Sequence, residues 1–156
     1  MANVMNAKDA VSAKLAECYV TIEGNRYLLM QAKNFEARFE KNKQVVPILG
    51  KTGQGNKTTN WNGTGSMTVY HNTPIFDELM LRFKNTAEDI YFDIQISNED
   101  PTSAAGRQTM IFKGCNIDGG TLASFDADGE WLEQDIDFTY EDFEMPEKFK
   151  ALEGMM

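Results

Sequence analysis

Between Glu133 and Glu141 the odd positions Glu133, Asp135, Asp137 and Glu141 are acidic, interrupted by Thr139, while Ile136, Phe138 and Tyr140 at even positions are apolar. A strand turns successive side chains to opposite faces, so this stretch predicts a β-strand with one buried face and a line of carboxylates on the other. Like charges held that close repel. The line therefore reads as a solvated face, a cation site, or a surface that keeps another anion from sticking. Ile90, Phe92, Ile94 and Ile96 alternate with Tyr91, Asp93, Gln95 and Ser97 and predict a central, antiparallel, half-buried strand.

Other segments carry the same period. Cys18–Ile22 and Tyr27–Met30 flank Glu23-Gly24-Asn25, which predicts a hairpin with positive φ at Gly24 or Asn25. The second strand extends toward Glu40, but its apolar positions change from even (Leu28, Met30, Ala32) to odd (Phe35, Ala37, Phe39), which marks a bulge or break near Asn34. Ser66–Tyr70 and Arg107–Ile117 are strand-like, the latter ended by Gly119-Gly120. Leu122–Phe125 and Glu130–Phe143 predict a hairpin around Asp126-Ala127-Asp128-Gly129.

A helical period occurs once, with Phe76, Leu79, Met80 and Phe83 at i, i+3, i+4 and i+7. Thr73 is the N-cap candidate and Pro74 the first helical residue, with Asp77 and Glu78 near the start and Arg82 and Lys84 near the end, as the helix dipole favours. The expected fold is mainly β: an antiparallel sandwich or barrel with one short flanking helix over about Thr73–Lys84.

One region resists a regular reading. Pro47 confines the apolar run Val45-Val46-Pro47-Ile48-Leu49 to an edge or an extended arm. Gly50–Gly65 then turns to Gly, Lys, Thr and Asn. The whole stretch 41–65 is expected to be a long loop, and loops of that length bind something or order on assembly.

Length, charge and cysteines narrow the function. A chain of 156 residues is a natural size for one domain over 1–156, with loose ends at 1–15 and 145–156. No apolar run approaches the length of a membrane span, and Met1–Lys14 lacks the basic start and apolar core of a secretory signal. The formal net charge of −9 argues against ordinary phosphate-backbone binding. Cys18 and Cys115 each fit a strand interior as reduced, buried thiols.

Catalytic chemistry finds little support. His71 is the one histidine and reads as a structural or exposed turn residue. Asp126-x-Asp128-Gly129-Glu130 is too short for an EF-hand and reads as a turn. Gly53-x-Gly55 and Gly63-x-Gly65 do not join a strand to a helix as a nucleotide fingerprint would. No catalytic, cofactor-binding or metal-binding residue is nominated. Trp61 and Trp131 are placed on polar segments, either as interface anchors or as rings tucked into their own domain.

Several runs together resemble one known family. They are Glu23-Gly24-Asn25, Ala37-Arg38-Phe39-Glu40-Lys41-Asn42-Lys43, Ile48-Leu49-Gly50, Lys57-Thr58-Thr59, Gly63–Tyr70, and Phe138-Thr139-Tyr140-Glu141-Asp142-Phe143-Glu144-Met145-Pro146-Glu147-Lys148. From about Ala16 to Lys150 the chain is similar to the tail tube proteins of contractile phages and phage-derived particles, the PBSX-like type. The resemblance implies a small β-barrel or sandwich with a flanking helix, forming stacked hexameric rings that make the hollow tube of a contractile tail or R-type bacteriocin. It implies no enzyme activity and no cofactor. As partners it implies further copies of the chain, a sheath protein outside, tape measure and baseplate or tail-terminator proteins, and DNA only as a passenger. Assembly would occur in the host cytoplasm and the product would reside in the particle tail.

Within that frame, Glu133, Asp135, Asp137 and Glu141 are the candidate lumen-facing row. Val45, Val46, Pro47, Leu49, Lys51, Lys57 and Trp61 are candidate contacts between subunits or rings. The alternatives are a type VI secretion-like tube protein, a small-ligand-binding β-barrel, and an enzyme, which would require a converging set of perturbed groups.

Overall fold

The computed structural model describes residues 4–152. The described residues form eight strands, β1 (Ala16–Ile22), β2 (Asn25–Leu28), β3 (Ala32–Val46), β4 (Gly55–Tyr70), β5 (Phe92–Glu99), β6 (Arg107–Gly120), β7 (Glu133–Tyr140) and β8 (Asp142–Glu147), and one helix, α1 (Ile75–Thr86), with a short 3-10 turn at Ala7–Asp9. Every pairing is antiparallel. The strand order is β2-β1-β5-β6-β7-β4-β3, with β8 also on β6. The sheet does not close: β2 and β3 are its ends. The architecture is thus the expected antiparallel sandwich or barrel with a flanking helix, in its open form.

Strand β6 makes the turn between the two layers. Its first half pairs with β5 and β8 and its last residues pair with β7. The corner falls at Gly114, whose φ of 66° suits a residue without a side chain, and where a β-carbon would come 2.9 Å from the Glu141 carboxylate. The space between the layers is filled by Val20, Met67, Val69, Ile94, Ile136 and Phe138, each almost fully buried. Burial of each such side chain is worth about 1.5–3 kcal/mol, and together they hold the layers in register.

Most strand boundaries differ modestly from expectation. The first hairpin closes through Glu23 (φ 50°) and Gly24 (φ 83°), with Asn25 already paired to Ile22, so the left-handed pair sits one residue earlier. The phase change near Asn34 is a register shift between Ala32 and Asn34 in the β3–β4 pair, as the parity switch requires. Leu122–Phe125 is not a strand; residues 121–132 form an irregular connection containing the Asp126–Gly129 turn, and β7 pairs with β6 and β4 instead. The expected strand over Glu130–Phe143 is divided at Glu141 into β7 and β8.

The helix cap moves by one residue. Pro74 is the N-cap and its carbonyl accepts from Glu78 N–H at 2.8 Å, while the Thr73 hydroxyl accepts from Ile75 N–H at 3.3 Å. Phe76 is buried against Phe92, but Phe83, the last member of the helical stripe, is half exposed.

The largest correction concerns 41–65. Strands β3 and β4 pair from Val46↔Gly55 to Ala32↔Val69, with register shifts at Ala32/Asn34 and Asn42/Lys43, so the expected loop is a long hairpin whose irregular tip is only 47–54. Strand β7 supports β4 only from Gly63 to Tyr70. Residues 41–62 therefore project as a two-stranded arm. The Asn42 and Asn60 amides pair at 2.6 Å, and the Thr59 hydroxyl donates to the Asn42 carbonyl.

The ends are tied to the body where they are described. Ser103 Oγ donates to the Asp9 carbonyl, Ala104 N–H to the Asp9 carboxylate, and Ser12 N–H to Asp100 Oδ2. Met145–Glu147 belongs to β8, and Lys150 N–H donates to the Ala105 carbonyl at 2.7 Å. The remainder of the expected loose ends, 1–3 and 153–156, lies outside the described residues.

Candidate functional site

The alternation in β7 is real in three dimensions. Gln134, Ile136, Phe138 and Tyr140 are buried, while Asp135 and Asp137 point outward. The register extends that outer face over three strands: Asn34, Thr68 and Asp135 lie in one rung, and Glu36, Ser66 and Asp137 in the next. The face is polar throughout because each of these positions has the parity opposite to the core.

Its charges are only partly balanced. Lys33 Nζ meets Glu133 Oε1 at 2.7 Å, an exposed pair that raises the lysine pKa through its hydrogen bond to that carboxylate. Thr68 Oγ1 donates to Asp135 at 2.7 Å, and Arg38 lies 3.8 Å from Glu36. Asp137 has no ion-pair partner among the described residues. Glu141 stands apart from the row at the bend between β7 and β8, against Gly114.

The arm residues divide into two groups. Val45, Val46, Ile48 and Leu49 are exposed toward its tip, Leu49 completely so, and Lys51 and Lys57 are exposed beside them, with Pro47 in the tip itself. Trp61 is different. It lies on β4 at the root of the arm, stacked on Phe39 at 5.0 Å and edge-on to Phe143 at 5.8 Å, with Tyr140 at 6.0 Å. Of the two readings of that ring, the tucked one holds, and Trp61 anchors the arm to the body. Trp131 remains largely exposed at 71%.

Sequence reasoning missed a partly buried polar network. His71 Nε2 meets Asp77 Oδ2 at 2.7 Å, and Gln134 Nε2 donates to Asp77 Oδ1 at 2.6 Å and to the Thr121 carbonyl at 2.9 Å. It ties the start of α1 to β7 and to the 121–132 connection. The signal was present, since Gln134 occupies a core-parity position in β7, where a polar residue needs partners. His71 is thereby structural, as expected of a turn histidine.

Neither thiol is exposed. Cys18 and Cys115 are both free and buried, and burial pushes each thiol up to about 12. Among the described residues there is no cluster of His, Cys, Asp or Glu with metal-binding geometry, and no helix is long and apolar enough to cross a membrane. Asp126 closes its own turn by accepting from Asp128 N–H.

This mostly β, antiparallel fold with one flanking helix matches solved tail tube structures. The chain is similar to the SPP1 tail tube (TM-score 0.63, 9% identity, covering 90% of this chain and 80% of that one). It is equally similar to a chain of the PVC sheath–tube complex of an extracellular contractile injection system (TM-score 0.62, 13% identity, covering 89% and 93%). The family model "Phage tail tube protein" matches residues 3–147, and the chain belongs to that family. Among curated proteins it is 37% identical over 144 residues to phage-like element PBSX protein XkdM of Bacillus subtilis (strain 168), covering 92% of this chain and 95% of that protein. It is 35% identical over 147 residues to YqbM of the same organism, covering 94% and 97%. The protein is a structural tail tube component.

Proposed function

We propose that the chain forms hexameric rings that stack into the hollow inner tube of a contractile tail, with the outer face of β3, β4 and β7 lining the lumen and the 41–62 arm joining subunits. The observation that carries this reading is the segregation of Glu36, Asp135 and Asp137 onto one outward sheet face while the arm leaves the body at the end of the same sheet. An acidic wall repels phosphate, so DNA would pass as an unbound passenger. The sheath would lie outside the tube, with the tape measure protein within it and baseplate and terminator proteins at its ends. Subunits would assemble in the host cytoplasm, and nothing in the role asks for catalysis.

Electron microscopy of the purified protein tests the assembly, with rings or hollow rods expected. Replacing residues 43–59 by a two-residue Asn-Gly turn removes the arm above the Asn42↔Asn60 pair. This should leave a folded protomer that makes no tubes, and tubes of normal length would remove the arm from the reading. In assembled particles, Asp135→Asn with Asp137→Asn should preserve tubes and slow DNA passage. Unchanged ejection would remove the lumen assignment.

A further inference from the structure

The arm and the 121–132 connection lie at opposite ends of one strand. The arm occupies the Gly55 end of β4, whereas Tyr70 at the other end pairs with Glu133, and His71 N–H donates to the Leu132 carbonyl at 2.9 Å, which fixes the connection there. Fifteen residue steps along β4 span roughly 50 Å at about 3.3 Å each. An arm cannot reach the connection of its own protomer.

Their surfaces are complementary in two respects. Both are apolar and open to solvent: Val45 and Leu49 on the arm are 54% and 102% exposed, and Leu122, Phe125 and Trp131 on the connection are 62%, 97% and 71% exposed. Their charges are opposite. The sequence holds no Asp or Glu from Lys41 to Phe76 and no Lys or Arg from Asp118 to Glu147. The arm presents Lys51 and Lys57 and the connection presents Asp128 and Glu130, all exposed. None of the four takes part in an ion pair among the described residues.

We infer that the arm of one copy seats on the 121–132 connection of the next, its apolar tip against Phe125 and Trp131 and its lysines against Asp128 and Glu130. This rests on the reading of the arm as an assembly element and adds its receptor. A protrusion at one end and a receptor at the other make a heterologous contact, which propagates head to tail and gives the assembly a direction. Opposite charge guides encounter and sets register, and the apolar contact supplies the burial. It also accounts for large aromatic side chains left bare on a chain with so acidic a surface.

Two charge-reversed chains test the pairing. One carries Lys51→Glu and Lys57→Glu on the arm; the other carries Asp128→Lys and Glu130→Lys on the connection, leaving Asp126 to close its turn. Alone, each presents like charges at every contact and should lose tube yield by at least tenfold, with circular dichroism confirming the native fold. Mixed in equal amounts they can alternate, so that every arm meets an opposite charge, and tubes should return. Normal tubes from either variant alone would overturn the pairing. A mixture that stays unassembled, while the shortened-arm chain also fails, would overturn the receptor and leave the arm's assembly role standing. Normal tubes from the shortened-arm chain would remove both.

Discussion

The Tyr140 hydroxyl donates to the Arg38 carbonyl at 2.7 Å, and its ring reaches that carbonyl by lying across Gly63. Tyr140 is on β7, Gly63 opposite it on β4, and Arg38 one strand further on β3, so one side chain clamps three strands at the root of the arm. A β-carbon at Gly63 would overlap the ring, falling 2.7 Å from Tyr140 Cδ2 and closer still to Cε2 and Cζ.

Gly63→Ala should therefore displace the ring and destabilise the protomer by about 1–3 kcal/mol, the usual cost of overpacking. Tyr140→Phe keeps the ring and loses one hydrogen bond, costing about 0.5–1.5 kcal/mol. Urea denaturation of dispersed protomers measures both. The pair share one contact, so the double variant should cost less than the sum, and strict additivity would show that the glycine and the ring act separately.

The His71–Asp77–Gln134 network predicts a second effect. Gln134 is 1% exposed, and Gln134→Leu removes donors from both the Asp77 carboxylate and the Thr121 carbonyl. The expected loss is about 1–3 kcal/mol, with faster amide exchange through 121–132. A variant as stable as the parent would show that water replaces the glutamine without cost.

What the sequence disclosed follows from which strands have a core to face. The β7 residues alternate because one face meets Met67 and Ile94 and the other meets solvent, and that asymmetry was legible as written. Residues 55–62 of β4 are almost all exposed, so selection for burial left no period-two signature, and their Lys, Thr, Asn and Gly content read as loop. Backbone pairing with β3 makes them a strand, and no side-chain pattern reports it. Leu122–Phe125 erred in the opposite direction: its apolar residues suggested a hairpin strand, but they are exposed and unpaired in any sheet. The pairing of β7 with both β4 and β6 is a long-range property that local pattern does not contain.

The two thiols should be inert in the folded protein. Cys115 is completely buried and Cys18 nearly so, and with both thiols pushed up to about 12 by burial the thiolate fraction at pH 8 is negligible. Ellman's reagent should find almost no reactive thiol in the native protomer and two per chain in denaturant. Rapid labelling of the native form would mean that the strands carrying them open far more readily than their packing indicates.

Asp100 supplies a pH-dependent fastening for the amino-terminal segment. Its carboxylate accepts from the Thr102 hydroxyl at 2.7 Å, from Thr102 N–H at 3.0 Å and from Ser12 N–H at 3.1 Å. These bonds, the Thr102 hydroxyl foremost, hold its pKa below the usual carboxylate range. A carboxyl group depressed on folding stabilises the native form at pH values above its unfolded pKa of about 4, and that contribution is lost as the pH falls through the lower folded value. The Ser12 amide resonance of the dispersed protomer should thus titrate with a midpoint below 4, and the segment 4–15 should loosen over the same range. Asp100→Asn keeps an acceptor for Thr102 but presents no second acceptor oxygen to Ser12, so the titration should vanish and trypsin should cleave after Lys14 faster at neutral pH. A Ser12 midpoint at or above the ordinary carboxylate value, or unchanged cleavage in the variant, would show that Asp9 and its bonds to Ser103 and Ala104 hold the segment without help from Asp100.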